Sequence, residues 1–223
     1  MMSLRNSIIR NRNLRTLGIM LRDCLNKFSY VRGPGNSIRK RGVIVKSKIQ
    51  IIGEGNILEF CEESVLLHVT VSIRGNNNKV VIGKASYLEK TDIHVEDGNC
   101  TILIGERTFI GPSHLAVTEN GSRLTIGNDC MISSHVQIRT GDSHSIINKL
   151  GERMNYAKDV LISDNVWIGE DAKILKGVEL GIQTIVSTGA IVTKSFRSGN
   201  LLLGGIPAKI LKDGISWKPE REK

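Results

Sequence analysis

Aromatic residues make up only 4% of this 223-residue chain, and proline and cysteine contribute four residues each. With 40% hydrophobic residues and so few large rings, a packed interior must be filled by aliphatic side chains in repeated layers, which points to a solenoid or a barrel. No apolar run reaches the roughly 18 residues a membrane span needs. Arg5, Arg10, Arg12, Arg15 and Arg22 interrupt any apolar core that a secretory leader would require, so neither secretion nor membrane spanning is expected. Cys24, Cys61, Cys100 and Cys130 stand 30 or more residues apart with no CxxC, which excludes zinc-ribbon and thioredoxin-like arrangements and suits the reducing cytoplasm.

Acidic residues are scarce at one end. Residues 1–48 hold 12 Lys and Arg against Asp23 alone, a net +11, whereas the remaining 175 residues hold 19 bases and 21 acids, a net −2. Within this basic arm Leu14, Leu17, Leu21, Leu25 and Phe28 follow helical spacing, which predicts an amphipathic helix over 11–28. Such an arm suits a negatively charged partner, either an anionic acceptor or a membrane surface. Nucleic acid is disfavoured, because the arm lacks interleaved aromatics, a zinc pattern or a helix-turn-helix.

What the chain does have is repetition. Ile162, Ile168, Ile174, Leu180, Val186 and Val192 recur every six residues, each preceded two positions earlier by Val160, Val166, Ala172, Val178, Thr184 or Ala190. Helices repeat at 3.6 and strands at 2, so a sustained period of six requires a three-sided coil with one short strand and one corner per hexad. Upstream the period is 22: Ile51, Ile73, Val95 and Val117 form one series, and Phe60, Ile82, Ile104 and Ile126 another. The four surplus residues coincide with Gly75-Asn76-Asn77-Asn78, Asp97-Gly98-Asn99 and Asn120-Gly121-Ser122, where positive φ is readily adopted. A leucine-rich repeat overlaps 22 in period, but its leucine ladder is absent and it cannot switch to six. The expected architecture is an all-β parallel β-helix of about seven coils. It spans residues 44–212, with the basic, partly helical arm over 1–43 and a short tail over 213–223.

The register lapses between Ile138 and Val160, so residues 139–159 form an insertion, and solenoids place chemistry on insertions and subunit contacts. Of five histidines, His144 lies in this polar loop, in Asp142-Ser143-His144-Ser145. Asp142 is placed to hold one imidazole nitrogen and so raise the basicity of the other, which would let His144 take a proton from a hydroxyl near neutral pH. No HExxH supports a zinc hydrolase, so no metal is expected, and without GxSxG a covalent route through Ser143 or Ser145 is the weaker option.

The hexapeptide run, the Asp142-Ser143-His144 loop, Asn165-Val166-Trp167-Ile168-Gly169, Gly189-Ala190-Ile191-Val192-Thr193-Lys194 and Gly205-Ile206-Pro207-Ala208-Lys209 together resemble the left-handed β-helix O-acetyltransferases. Within that family they are most similar to enzymes of capsular and surface polysaccharides, the sialic-acid capsule type among them. The resemblance implies a left-handed coil, homotrimers and acetyl-CoA as cosubstrate in a groove between prisms. It further implies His144 as general base, Trp167 beside the thioester arm, and Thr188 gripping pantetheine through its backbone. Thr193 and Lys194 would then lie near the cofactor, with Lys209 and Lys212 near its phosphates. The implied acceptor is a sugar hydroxyl of a glycan, including an anionic one. Alternatives are the same chemistry on an antibiotic, serine or amino sugar, and a non-catalytic β-helix that serves as a binding module.

Overall fold

The structure, a computed structural model, describes residues 29–220; the helix expected over 11–28 lies outside them. Among the described residues there are 24 strands and no helix, and the strands form three sheets that are the faces of a prism. The first face runs in eight strands from Ser29–Arg32 to Ile191–Val192, and the second in seven from Ser37–Lys40 to Glu179–Leu180. The third runs from Val43–Val45 to Leu202–Gly204, and Lys209–Lys212 is added antiparallel at its edge. Every other pairing is parallel and joins a strand to its counterpart one coil on, such as Ile51 with Ile73 and Phe60 with Ile82. Seven strand spacings on the first face give a height of roughly 34 Å.

The hexad aliphatics and their companions from Val160 to Val192 are all buried, as are both 22-residue series, so the inward rows are those expected. The solenoid starts earlier than the expected boundary at 44. Ser29–Arg32 and Ser37–Lys40 already pair with the next coil, but their side chains are exposed or half-buried, and Ile38, opposite Leu58, packs against the core.

The long coils differ from the short ones at one place. Val71, Ile93, Leu115, Ile138, Ile174 and Val192 occupy one inward row of the first face, and Ile82, Ile104, Ile126, Ile162 and Leu180 one of the second. Ile82 comes 11 residues after Val71, whereas Leu180 comes 6 after Ile174, so the corner between the first and second faces is five residues longer in a long coil. The corner between the third and first faces is one residue shorter, since Ile93 follows Leu88 by 5 and Val192 follows Val186 by 6. The turn-rich stretches at Gly75, Asp97 and Asn120 are this elongated corner, and Gly75, Asn77, Asp97, Asn99 and Gly121 there have positive φ. Beyond Arg139 the corner is cut back by about two residues of strand on each face, roughly 7 Å, which leaves a ledge.

Side chains sew the long corner together. Asn56 and Asn78 are fully buried. Each donates from Nδ2 to the next coil, at Gly75 O and Asp97 O, and accepts at Oδ1 from the N–H of Asn78 and Cys100 respectively. Cys100 continues this ladder, with Sγ 3.1 Å from Glu119 O. Ser86, Thr108 and Cys130 form a second ladder between the second and third faces. Burial pushes the Cys100 thiol up and the Cys130 thiol to about 12, so these are structural, unreactive sulfurs.

Candidate active site

The insertion leaves the ledge after Thr140 and returns at Asp159 to the same corner. Its distal part is a small hairpin. Ile147 bridges Arg153, Met154 N donates to Ile146 O, and Asn148 Oδ1 accepts from the N–H groups of Leu150 and Glu152 to close the tip. The base is fastened by charged and amide groups. Asn155, only 7% exposed in a loop that is otherwise mostly open, donates from Nδ2 to Asp142 Oδ2 and to His144 O, both at 2.8 Å. Its Oδ1 accepts from Ile146 N at 2.7 Å. Lys176, from the corner of the next short coil, donates from Nζ to Asp142 Oδ2 and to Asn155 O. On the side of the long coils, Glu119 receives Arg153 Nη2 on one carboxylate oxygen and Ala157 N–H on the other.

These contacts set the electrostatics. The Lys176 bond, aided by Asn155, holds the Asp142 carboxyl below the usual carboxylate range against an opposing desolvation. At Glu119 burial is the largest single influence and pushes upward, but the Arg153 and Ala157 bonds and the charges of Arg153 and Lys176 together outweigh it, and the pKa falls. The expected bond from Asp142 to the imidazole is not formed; Oδ2 of the carboxylate instead accepts from both Lys176 and Asn155. The His144 side chain is exposed, and among the described residues its ring makes no hydrogen bond, so it is open to a substrate proton. Asp142 is linked to the His144 main chain through the Asn155 amide.

The remaining expected site residues fall into two groups. Thr193 and Lys194 follow the last strand of the first face and lie exposed at the same corner as the loop, with Lys194 Nζ 5.6 Å from the Phe196 ring centroid. Trp167 instead points outward from the third face at 36% exposure, between Met131 and Ile185. Thr188 follows at the next corner, its N–H packed against Gly169, and Lys209 and Lys212 are exposed on the antiparallel edge strand of the third face. In a three-sided prism the corner between the first and second faces is opposite the third. One chain therefore keeps His144, Asp142, Thr193 and Lys194 apart from Trp167, Thr188, Lys209 and Lys212.

Several participants carried no sequence signal of their own. Asn155, Glu119 and Lys176 belong to no motif or period. Trp217 could have been noticed by scarcity, as one of two tryptophans. The C-terminal segment folds back so that Ile215 and Asn200 exchange hydrogen bonds, and Trp217 packs on Trp167 with centroids 5.9 Å apart and donates from Nε1 to Asn165 O. His135, Glu170 and Asp171 gather at the corner between the third and first faces, the one group among the described residues with metal-ligand spacing. All three are exposed ion-pair partners, and nothing further points to a metal there.

No family model matches the chain. The crystal structure of the polySia specific acetyltransferase NeuO matches it with a TM-score of 0.78 and 33% identity over 87% of this chain and 83% of that one. The chain belongs to the left-handed β-helix acetyltransferases. The polysialic acid O-acetyltransferase OatWY is similar too, with a TM-score of 0.76 and 27% identity over 87% of this acetyltransferase and 93% of OatWY. A Schizosaccharomyces pombe protein named as an acetyltransferase is 33% identical over 89 residues, and that match spans 42% of its length. The β-helix acetyltransferase is thus an acyltransferase, with its loop, aromatic pair and terminal lysines on the coils that follow the ledge.

Proposed function

We propose that the acetyltransferase transfers acetyl from acetyl-CoA to a sugar hydroxyl of a surface or capsular polysaccharide, with His144 as general base. The observation that carries this reading is an exposed imidazole, with no hydrogen bond to its ring among the described residues, on a loop fastened to a rigid coil. The imidazole takes the hydroxyl proton as the oxygen attacks the thioester carbonyl. The tetrahedral intermediate then collapses, the C–S bond breaks, and CoA leaves as the thiol with the proton returned by His144. Such a positioned base contributes about 10²–10⁴-fold. Lys194, Lys209 and Lys212 have no carboxylate partner among the described residues and so are available to the phosphates of CoA, and Trp167 with Trp217 offers an apolar wall to its pantetheine arm.

Because the two residue groups sit on opposite sides of one prism, the working site forms between copies, the loop corner of one against the third face of the next in a homotrimer. Five loop side chains with exposed apolar surface, Ile146, Ile147, Leu150, Met154 and Tyr156, support the same reading, Leu150 being 82% exposed. A cytoplasmic location, where acetyl-CoA is available, fits this reading. The basic N-terminal segment suits an anionic acceptor of the kind named for NeuO and OatWY.

The test is acceptor-dependent CoA release from acetyl-CoA across a panel of polysialic acid, a neutral oligosaccharide, a hydroxylated antibiotic, serine and an amino sugar. Turnover on a polysaccharide that falls about 10²–10⁴-fold in His144→Ala, with CoA binding intact, is expected. Near-normal turnover in that variant removes His144 from the mechanism, and turnover confined to a small acceptor replaces the substrate class.

A further inference from the structure

We infer that Asn155 and Lys176 are positioning residues for acetyl transfer, and that they set where His144 stands by clamping its main chain to the short coil below the ledge. The inference rests on the reading of His144 as the base. Three features carry it.

Asn155 is a buried polar side chain within the insertion, and its bonds converge on the segment that bears the histidine. Nδ2 reaches Asp142 on one side of His144 and the carbonyl of His144 itself, while Oδ1 takes the N–H of Ile146 on the other side. The segment is thus held through the backbone at the histidine and two residues after it, and through the Asp142 carboxylate two residues before it. Ser143, at φ 66°, introduces a sharp local bend that these bonds maintain.

Lys176 supplies the external reference. It lies at a corner between paired strands of the first and second faces, so its backbone is fixed by the stacked coils. Its ammonium bonds one atom on the outgoing limb of the loop, Asp142 Oδ2, and one on the returning limb, Asn155 O. With one lysine bridging both limbs, the loop cannot open or slide along the ledge without breaking a charge-assisted bond.

The setback of the corner provides the third feature. The ammonium of a short-coil lysine reaches the loop base because the corner recedes there, and Gly177 beside it packs closely on Lys158 of the returning limb. A general base must lie within hydrogen-bond reach of its proton, and a displacement of about 1 Å can cost about 10²-fold. A loop without the clamp would sample such displacements continually.

The experiment is a double-mutant analysis with acetyl-CoA and whichever acceptor of the panel above turns over fastest. Asn155→Ala, Lys176→Met and Lys176→Arg are each made alone and in the His144→Ala background. Asn155→Ala and Lys176→Met are expected to lower kcat about 10–100-fold with the KM for acetyl-CoA unchanged, and Lys176→Arg to recover most of the loss. In the His144→Ala background both losses should vanish. Losses that persist in full there, or kcat values that stay normal in the single variants, overturn the inference. Lys176→Met acts from outside the loop and keeps the test decisive if Asn155→Ala does not fold. Failure of the base reading is separately visible, as normal turnover of His144→Ala alone.

Discussion

The long coils and the short coils solve the same geometric problem with different means. In a long coil the corner between the first and second faces projects outward, and its interior would be an unfilled wedge were it not occupied by Asn56, Asn78 and Cys100, whose bonds run from coil to coil. In a short coil the corner is pulled in until Ile174 and Val178 close it with aliphatic contact, one hydroxyl, that of Ser195, bonding the Gly177 carbonyl and the Glu179 N–H of the coil before, and Gly177 taking the positive φ that the tight turn needs. The first design spends its polar side chains on stability. The second leaves its outward corner residues to other partners, Lys176 bonding the loop and Thr193 and Lys194 standing exposed.

This contrast can be broken or sharpened by substitution. The largest effect is expected from Asn78→Ala, which strands the Cys100 N–H and the Asp97 carbonyl and leaves a cavity, for about 3–5 kcal/mol. Val178→Ala, at the short corner, removes about two methylene equivalents and should cost only about 2 kcal/mol. Urea midpoints that fall equally in the two variants would dissolve the distinction.

Replacing Lys194, Lys209 and Lys212 together by Ala should raise the KM for acetyl-CoA about tenfold and leave the urea midpoint in place. Exposed lysines contribute little to the fold, and under the proposed reading these three meet the phosphates of CoA. A shifted midpoint with an unchanged KM would assign them the opposite role.

The smallest effect concerns pH. Asp142 and Glu119 both titrate below their ordinary values in the folded chain, so their bonds to the loop are fully present above the ordinary carboxylate range and are lost as pH falls through the lower folded values. Protection of the amides of residues 141–158 against exchange, relative to an unstructured peptide at the same pH and followed from pH 6 down to pH 3, should therefore hold at first and fall only at the acid end. Asp142→Asn should exchange faster than the parent at pH 6 and respond less to acid. A parent loop that loosens with rising pH would contradict this sign.

Much of the solenoid was legible because aliphatic side chains that stack coil on coil must recur at the coil period, as Ile162 to Val192 do. Even the elongated corner could be read from Gly75, Asn77 and Asn120. The first coil was not legible, since Tyr30, Val31, Arg39 and Lys40 are exposed and the one half-buried aliphatic of these two strands, Ile38, makes no repeat by itself. His144 could be singled out by its place in the largest insertion. Asp142 could be paired with it by spacing, but not in the right manner, because sequence spacing suggests ring and carboxylate whereas the actual partner is an ammonium from a later coil. Contacts such as Lys176 to Asp142 join residues 34 apart through the fold alone, and no local pattern announces them.

The antiparallel strand Lys209–Lys212 has a consequence for the molecule as a particle. A stack of parallel rungs ends in unpaired backbone groups that invite another prism to continue it, and unchecked growth of that kind yields fibres. Here the chain doubles back on the third face, pairs Gly204 with Lys209 and Leu202 with Lys212, and reverses the strand direction at this end. A second prism would meet an edge of the wrong polarity that also bears two lysines, so the protein can expose a regular β-sheet end and still remain a discrete assembly.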